Sequence, residues 1–83
     1  TRYIKQSRKE IWAKPLADGS YAVVLFNRGL LARKISFKWS DLKLDWETAK
    51  VRDLWKKHNL GTFKNSFTAK VEGRGAVMVK ISQ

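Results

Sequence analysis

The chain has 83 residues, 18 Lys and Arg against 7 Asp and Glu, and a formal net charge of +11. This length supports one domain with a thin stability margin, and 43% hydrophobic with 12% aromatic residues excludes a disordered basic tail. Zero Cys and a single His, His58, leave no disulfide, no cysteine chemistry and no metal site to expect, and no apolar run approaches the length of a transmembrane helix.

The opening Thr1-Arg2-Tyr3 lacks the apolar stretch of a signal peptide, and the absent initiator Met suggests a mature chain or, in preference, a piece of a longer protein. Cysteine usage suits a reducing cytoplasm and is compatible with export, so the compartment stays open. From Arg2 to Lys5 the strand signal is weak. A stronger segment runs from Glu10 to Leu16, with Ile11 and Ala13 on one face and Trp12 and Lys14 on the other. Pro15 marks its end or an edge, because it cannot donate a ladder hydrogen bond. Asp18-Gly19 then predicts a hairpin turn.

The return strand, Tyr21 to Asn27, contains the unbroken apolar run Ala22-Val23-Val24-Leu25-Phe26, which requires a central strand or cover on both faces. After Arg28-Gly29, the stretch Ala32 to Trp39 alternates, with Ile35, Phe37 and Trp39 against Lys34, Ser36 and Lys38. Asp41 suits a cap of a short 3₁₀ turn. Alternation resumes over Thr48 to Asp53, and Leu54 to Gly61 reads as a connection. Phe67, Ala69 and Val71 form another alternating set, and Gly73-Arg74-Gly75 turns the chain into Ala76 to Ile81. Seven or eight short strands joined by tight turns predict an all-β fold, an antiparallel β-sandwich with Greek-key character, over residues 1–83. Its expected core is Val23, Leu25, Ile35, Phe37, Trp39, Val51, Leu54, Trp55, Phe67, Val77 and Val79.

Catalytic chemistry is poorly provided for. Asp18 and Glu72 sit in turns, Asp41 in a cap, and Asp53 lies beside Arg52 with no second carboxylate or histidine evidently placed with it, so structural roles are expected of them. His58 stands in a Lys-rich stretch. Gly73-Arg74-Gly75 is too short to cradle a phosphate, and no serine nucleophile elbow occurs. No catalytic residue, cofactor or metal is expected in these 83 residues.

The basic charge raises nucleic acid as a partner, since outward lysines interleaved with aromatics are how small β domains bind single strands. Phe37, Trp39 and Phe67 are in phase with the core, however, and outward lysine also protects strands from edge-to-edge pairing. The solvated-face reading is therefore preferred to nucleic acid. Tyr3, Trp12 and Trp46 remain as exposed platforms on which a sugar ring could stack.

Several stretches together resemble one family. Ile11-Trp12-Ala13-Lys14-Pro15-Leu16-Ala17-Asp18-Gly19-Ser20, followed by Ala22-Val23-Val24-Leu25-Phe26-Asn27-Arg28-Gly29, resembles the opening of the C-terminal domain of family 27 glycoside hydrolases, the α-galactosidases or melibiases. Ile35-Ser36-Phe37, Trp39-Ser40-Asp41-Leu42, Val51-Arg52-Asp53-Leu54-Trp55, Leu60-Gly61 and Gly75-Ala76-Val77-Met78-Val79-Lys80 follow in the family's order, and Arg74 stands where a His often does. The resemblance implies a Greek-key β-sandwich packed on an upstream catalytic (β/α)8 barrel that carries both catalytic Asp residues of a retaining mechanism. It implies no catalytic role for Asp53.

The resulting expectation is a noncatalytic accessory domain that stabilises its own upstream barrel, in an enzyme that hydrolyses terminal α-galactosides. Leu30, Leu31 or Trp46 would mark the surface the barrel covers. The alternatives are a carbohydrate-binding module using Trp12, Trp46 or Tyr3, and a basic single-stranded nucleic-acid binder.

Overall fold

A computed structural model describes the backbone of residues 2–6 and the whole of residues 8–83; of the side chains in the first strand, only that of Ile4 is described. Among the described residues there are eight strands and one short helix: β1 (Arg2–Gln6), β2 (Lys9–Pro15), β3 (Tyr21–Asn27), β4 (Arg33–Lys38), the 3₁₀ helix η1 (Trp39–Leu42), β5 (Thr48–Asp53), β6 (His58–Lys64), β7 (Ser66–Val71) and β8 (Ala76–Ser82). All pairings are antiparallel. One sheet has the order β1-β2-β3-β8-β5-β6, and the other pairs β4 with β7. The chain therefore leaves the large sheet after β3 and again after β6, and β8 returns to lie between β3 and β5. These crossings give the all-β sandwich its Greek-key character.

The core follows from period 2. Ile11, Ala13, Val23, Leu25, Ala49, Val51, Val79 and Ile81 face inward from the large sheet, and Ile35, Phe37, Phe67 and Val71 from the small one. Trp39 and Leu42, from η1, close one end. Phe37 meets Trp39 edge to face at 5.6 Å and Phe67 at 6.3 Å, and Phe63 meets Phe67 at 5.1 Å. Such geometry sets the positive ring edge against the negative face. The helix η1 begins where the Asp41 carboxylate accepts the Lys38 N–H at 2.9 Å, the capping role its position suggested.

Two expectations are corrected here. Leu54 to Gly61 is not all connection: its second half opens β6, a paired strand, and only residues 54–57 turn. The Asp53 carboxylate orders that turn by accepting the N–H groups of Trp55 at 3.0 Å and Lys56 at 2.9 Å. In consequence Leu54 and Trp55 are not core residues; Leu54 is half-buried and Trp55 is 59% exposed. Val77 is half-buried and packs against the core.

The turns at one end of the sandwich interlock. The side-chain amide of Asn27, buried at the end of β3, donates to the carbonyls of Leu31 and Val71, both at 2.9 Å, while its Oδ1 accepts the Gly29 N–H at 2.9 Å. Arg74 N–H donates to the Gly29 carbonyl at 2.9 Å. A Cβ on Gly73 would fall 2.1 Å from the Leu30 carbonyl oxygen and 2.5 Å from its carbon. Because the clash is with backbone, no rotamer relieves it. Gly73→Ala is expected to cost about 1–3 kcal/mol in urea unfolding; a loss below about 0.5 kcal/mol, the range of an indifferent surface change, would contradict this close approach.

Candidate functional surface

The outer faces of the two sheets differ. On the small sheet, Lys34 opposes Lys70, Ser36 opposes Thr68, and Lys38 opposes Ser66, so that face is polar throughout. An antiparallel sheet with one wet face should look like this. The large sheet does not. On β2, β3 and β8 its outward residues form the rows Trp12–Val24–Met78 and Glu10–Phe26–Ala76. Trp12 is 42% exposed and Phe26 38%, with Val24, Ala76 and Met78 half-buried beside them.

Cations flank this apolar strip at both ends. Toward the β2–β3 turn the next row reads Lys14, Ala22, Lys80 and Arg52 across four strands. Lys50, Arg52, Asn59, Thr62, Lys80 and Ser82 line an open cleft of about 340 Å³ there. Arg52 and Lys80 are directly opposed, an arrangement that destabilises unless the charges are met. Here they are met: the Arg52 guanidinium donates to Asn59 Oδ1 at 2.7 Å and to the Lys57 carbonyl at 3.2 Å, while Lys80 Nζ lies 3.0 Å from Asp18 Oδ2. At the other end Phe26, Arg28 and Arg74 line a second open cleft of about 420 Å³. Glu10, buried below it, is ion-paired with Arg28.

Asp18 is held firmly within its own turn. It accepts from the Ser20 hydroxyl and from the Ser20 N–H at 3.1 Å, across a turn in which Gly19 takes φ +88°. These bonds, the Ser20 hydroxyl first, and then Lys80 hold its pKa well below the usual carboxylate range. Because the folded pKa is depressed, the stabilising contribution is present above the unfolded pKa and is lost as pH falls into the acid range.

The structure does not assemble the three aromatic candidates into one platform. Trp12 lies on the outer face of the large sheet. Trp46 is half-buried, packed on the core and edge to face with Tyr21 at 5.9 Å, so it is not the exposed platform its loop position suggested. The backbone of Tyr3 pairs with Trp12, but its side chain lies outside the described residues. Leu30 and Leu31 are 70% and 74% exposed, at the end of the sandwich where Asn27 and Gly73 lock the turns. His58 is exposed opposite Asp53 in the β5–β6 pair. Among the described residues no group of three or more His, Cys, Asp or Glu is placed to hold a metal ion, and no helix is long and apolar enough to cross a membrane. Sequence reasoning missed both flanking clefts and the contrast between the two outer faces. Finding them requires knowing which strands pair.

Residues 6–81 match the family model described as the alpha galactosidase C-terminal beta sandwich domain. Among relatives, a probable alpha-galactosidase of Dictyostelium discoideum is 34% identical over 77 residues, covering 89% of this chain and 20% of the relative. Among solved structures, alpha-galactosidase I from Mortierella vinacea superposes with a TM-score of 0.90 at 29% identity, over 96% of this chain and 22% of that one. A GH27 β-L-arabinopyranosidase from Geobacillus stearothermophilus superposes with a TM-score of 0.92 at 28% identity, over 99% and 19%. The chain thus spans about a fifth of the length of the proteins it matches.

Proposed function

The chain belongs to the alpha galactosidase C-terminal β-sandwich family, and on that premise we propose that it is the noncatalytic C-terminal domain of an α-galactosidase, stabilising an upstream (β/α)8 catalytic barrel. The parent enzyme hydrolyses terminal α-galactosides with retention. The observation that carries this reading is the match across residues 6–81, together with relatives about five times longer that bear α-galactosidase names.

The carboxylates within the domain support the noncatalytic part. A retaining glycosidase needs two carboxyl groups about 5–5.5 Å apart around the scissile bond, one with a raised pKa. Here Asp18, Asp41 and Asp53 accept backbone N–H groups in turns and caps, Glu10 is paired with Arg28, and Glu47 lies 3.7 Å from Lys64. The pKa of Asp18 is displaced downward, the wrong direction for a general acid. Sugar stacking by the domain itself is the weaker reading, because Trp46 is taken up by packing and Trp12 lies apart from it.

The test compares the full-length enzyme with the 83-residue chain on a nitrophenyl α-galactoside, with product anomer followed by NMR. The full-length protein is expected to release galactose with retention and the chain alone to release none. Turnover by the chain alone, or no galactoside hydrolysis by the full-length protein, would overturn the proposal.

A further inference from the structure

We propose that the outer face of the six-stranded sheet, centred on Val24, Phe26 and Met78, is the surface that docks on the catalytic domain, and that it meets there an apolar patch bordered by carboxylates. This rests on the preceding reading and specifies which surface performs it.

Three observations lead to this face. The first is the asymmetry between the two sheets. Both belong to one sandwich of 83 residues and would meet the same solvent if nothing covered them, yet one outer face carries Lys34, Ser36, Lys38, Thr68 and Lys70, whereas the other sets Trp12, Val24, Phe26, Ala76 and Met78 side by side between its charged rows. An apolar patch that reaches the surface inside a polar rim marks an interaction site. The second is length. The relatives carry about four-fifths of their residues outside the matched region, so a covering body of the right size belongs to the same polypeptide in this family.

The third observation is charge. Lys14, Lys50, Arg52 and Lys80 flank the strip at one end and Arg28 and Arg74 at the other, whereas Glu10 and Asp18 beside it are already engaged with Arg28 and Lys80. The rim is thus net positive, and an apolar centre inside a basic rim is complementary to an apolar patch with an acidic border. Part of the +11 charge is then directed at the partner domain rather than at a polyanion. Leu30 and Leu31, for all their exposure, stand on a turn at the end of the sandwich without the sheet's flat apolar row behind them.

The experiment uses single cysteines in the full-length enzyme, a scan this chain favours because it has no Cys of its own. Phe26→Cys and Met78→Cys report on the large-sheet face, and Ser36→Cys and Thr68→Cys on the small-sheet face. Each variant is checked for retained galactoside hydrolysis, then titrated with a thiol reagent under native conditions. The large-sheet thiols are expected to react several-fold more slowly than the small-sheet thiols, and to regain full reactivity on denaturation. Equal rates on both faces, or protection of Ser36→Cys and Thr68→Cys instead, would overturn the assignment while leaving the proposed function intact. Protection at Phe26→Cys that disappears on dilution would assign the face to a second copy and equally overturn it. Absence of hydrolysis in the unmodified enzyme would instead reject the reading on which the proposal rests. Should Phe26→Cys fail to fold, Met78→Cys on the adjacent strand carries the same comparison.

Discussion

Trp39→Ala is expected to lower the unfolding free energy by about 3–5 kcal/mol, the range for deleting a large aromatic from a core. A domain of 83 residues has only about 4–12 kcal/mol in total, so this single change should leave it largely unfolded near 37 °C. The size of the effect comes from position. Trp39 is 1% exposed and packs edge to face on Phe37, on a backbone, retained in the alanine variant, whose N–H donates to the Asn65 carbonyl at 3.0 Å and whose carbonyl accepts from Leu44 at 3.1 Å. It thereby fixes η1 against the small sheet and against the β6–β7 turn. Trp39→Phe should behave differently, because the indole Nε1 is buried without a hydrogen-bond partner among the described residues. An unsatisfied buried donor costs about 1–3 kcal/mol, and removing it offsets part of the lost ring, leaving a net loss below about 1.5 kcal/mol. Guanidinium unfolding followed by far-UV circular dichroism measures both. Trp39→Ala within about 1 kcal/mol of the parent would contradict the packing described here.

Asn27→Ala is the second large effect, about 2–4 kcal/mol, and it is polar in origin. Three hydrogen bonds are lost at once, and the Val71 carbonyl is left without its partner in a buried site. The turns around residues 28–32 and 72–75 lose their common anchor. Asn27→Asp should be at least as damaging although it is closer in shape, because it keeps the acceptor for Gly29 but sets a carboxylate against the Leu31 and Val71 carbonyls. If Asn27→Asp unfolds no more easily than the parent at neutral pH, the amide orientation described here is wrong.

Most of the fold was legible because its strands alternate. Ile35 and Phe37 against Lys34, Ser36 and Lys38 give the small sheet, and Asp18-Gly19 gives the first hairpin; a period of 2 needs no tertiary knowledge to read. The run from Ala22 to Phe26 was legible only in part. It required a central strand, and β3 is one, with Val23 and Leu25 fully buried; the apolar Val24 and Phe26 on its other face are what the proposed docking accounts for. β6 was not legible, and for a local reason. A register shift at Val51/Arg52, with Gly61 at φ +116°, breaks the alternation, and the strand is an exposed edge that needs no apolar pattern. Leu54 and Trp55 read as core because large apolar residues usually are; they fall in the turn that Asp53 organises.

The candidate surface was the least legible part. Lys50, Arg52 and Lys80 come from strands that are neighbours only after folding, and Phe26 joins Arg28 and Arg74 in the same way. Individual lysines read as solvated strand positions, which Lys34, Lys38 and Lys70 are. The family resemblance supplied the partner that periodicity lacked, and the two unlike outer faces are the basis on which a docking side is proposed for it.

The most direct test of the central claim compares thermal inactivation of the full-length enzyme with that of a version ending before this chain, both assayed on a nitrophenyl α-galactoside. The truncated enzyme is expected to keep its retaining chemistry but to inactivate at a markedly lower temperature, because the barrel surface that Val24, Phe26 and Met78 are proposed to cover is laid bare. Equal inactivation temperatures for the two forms would contradict a stabilising role for the domain.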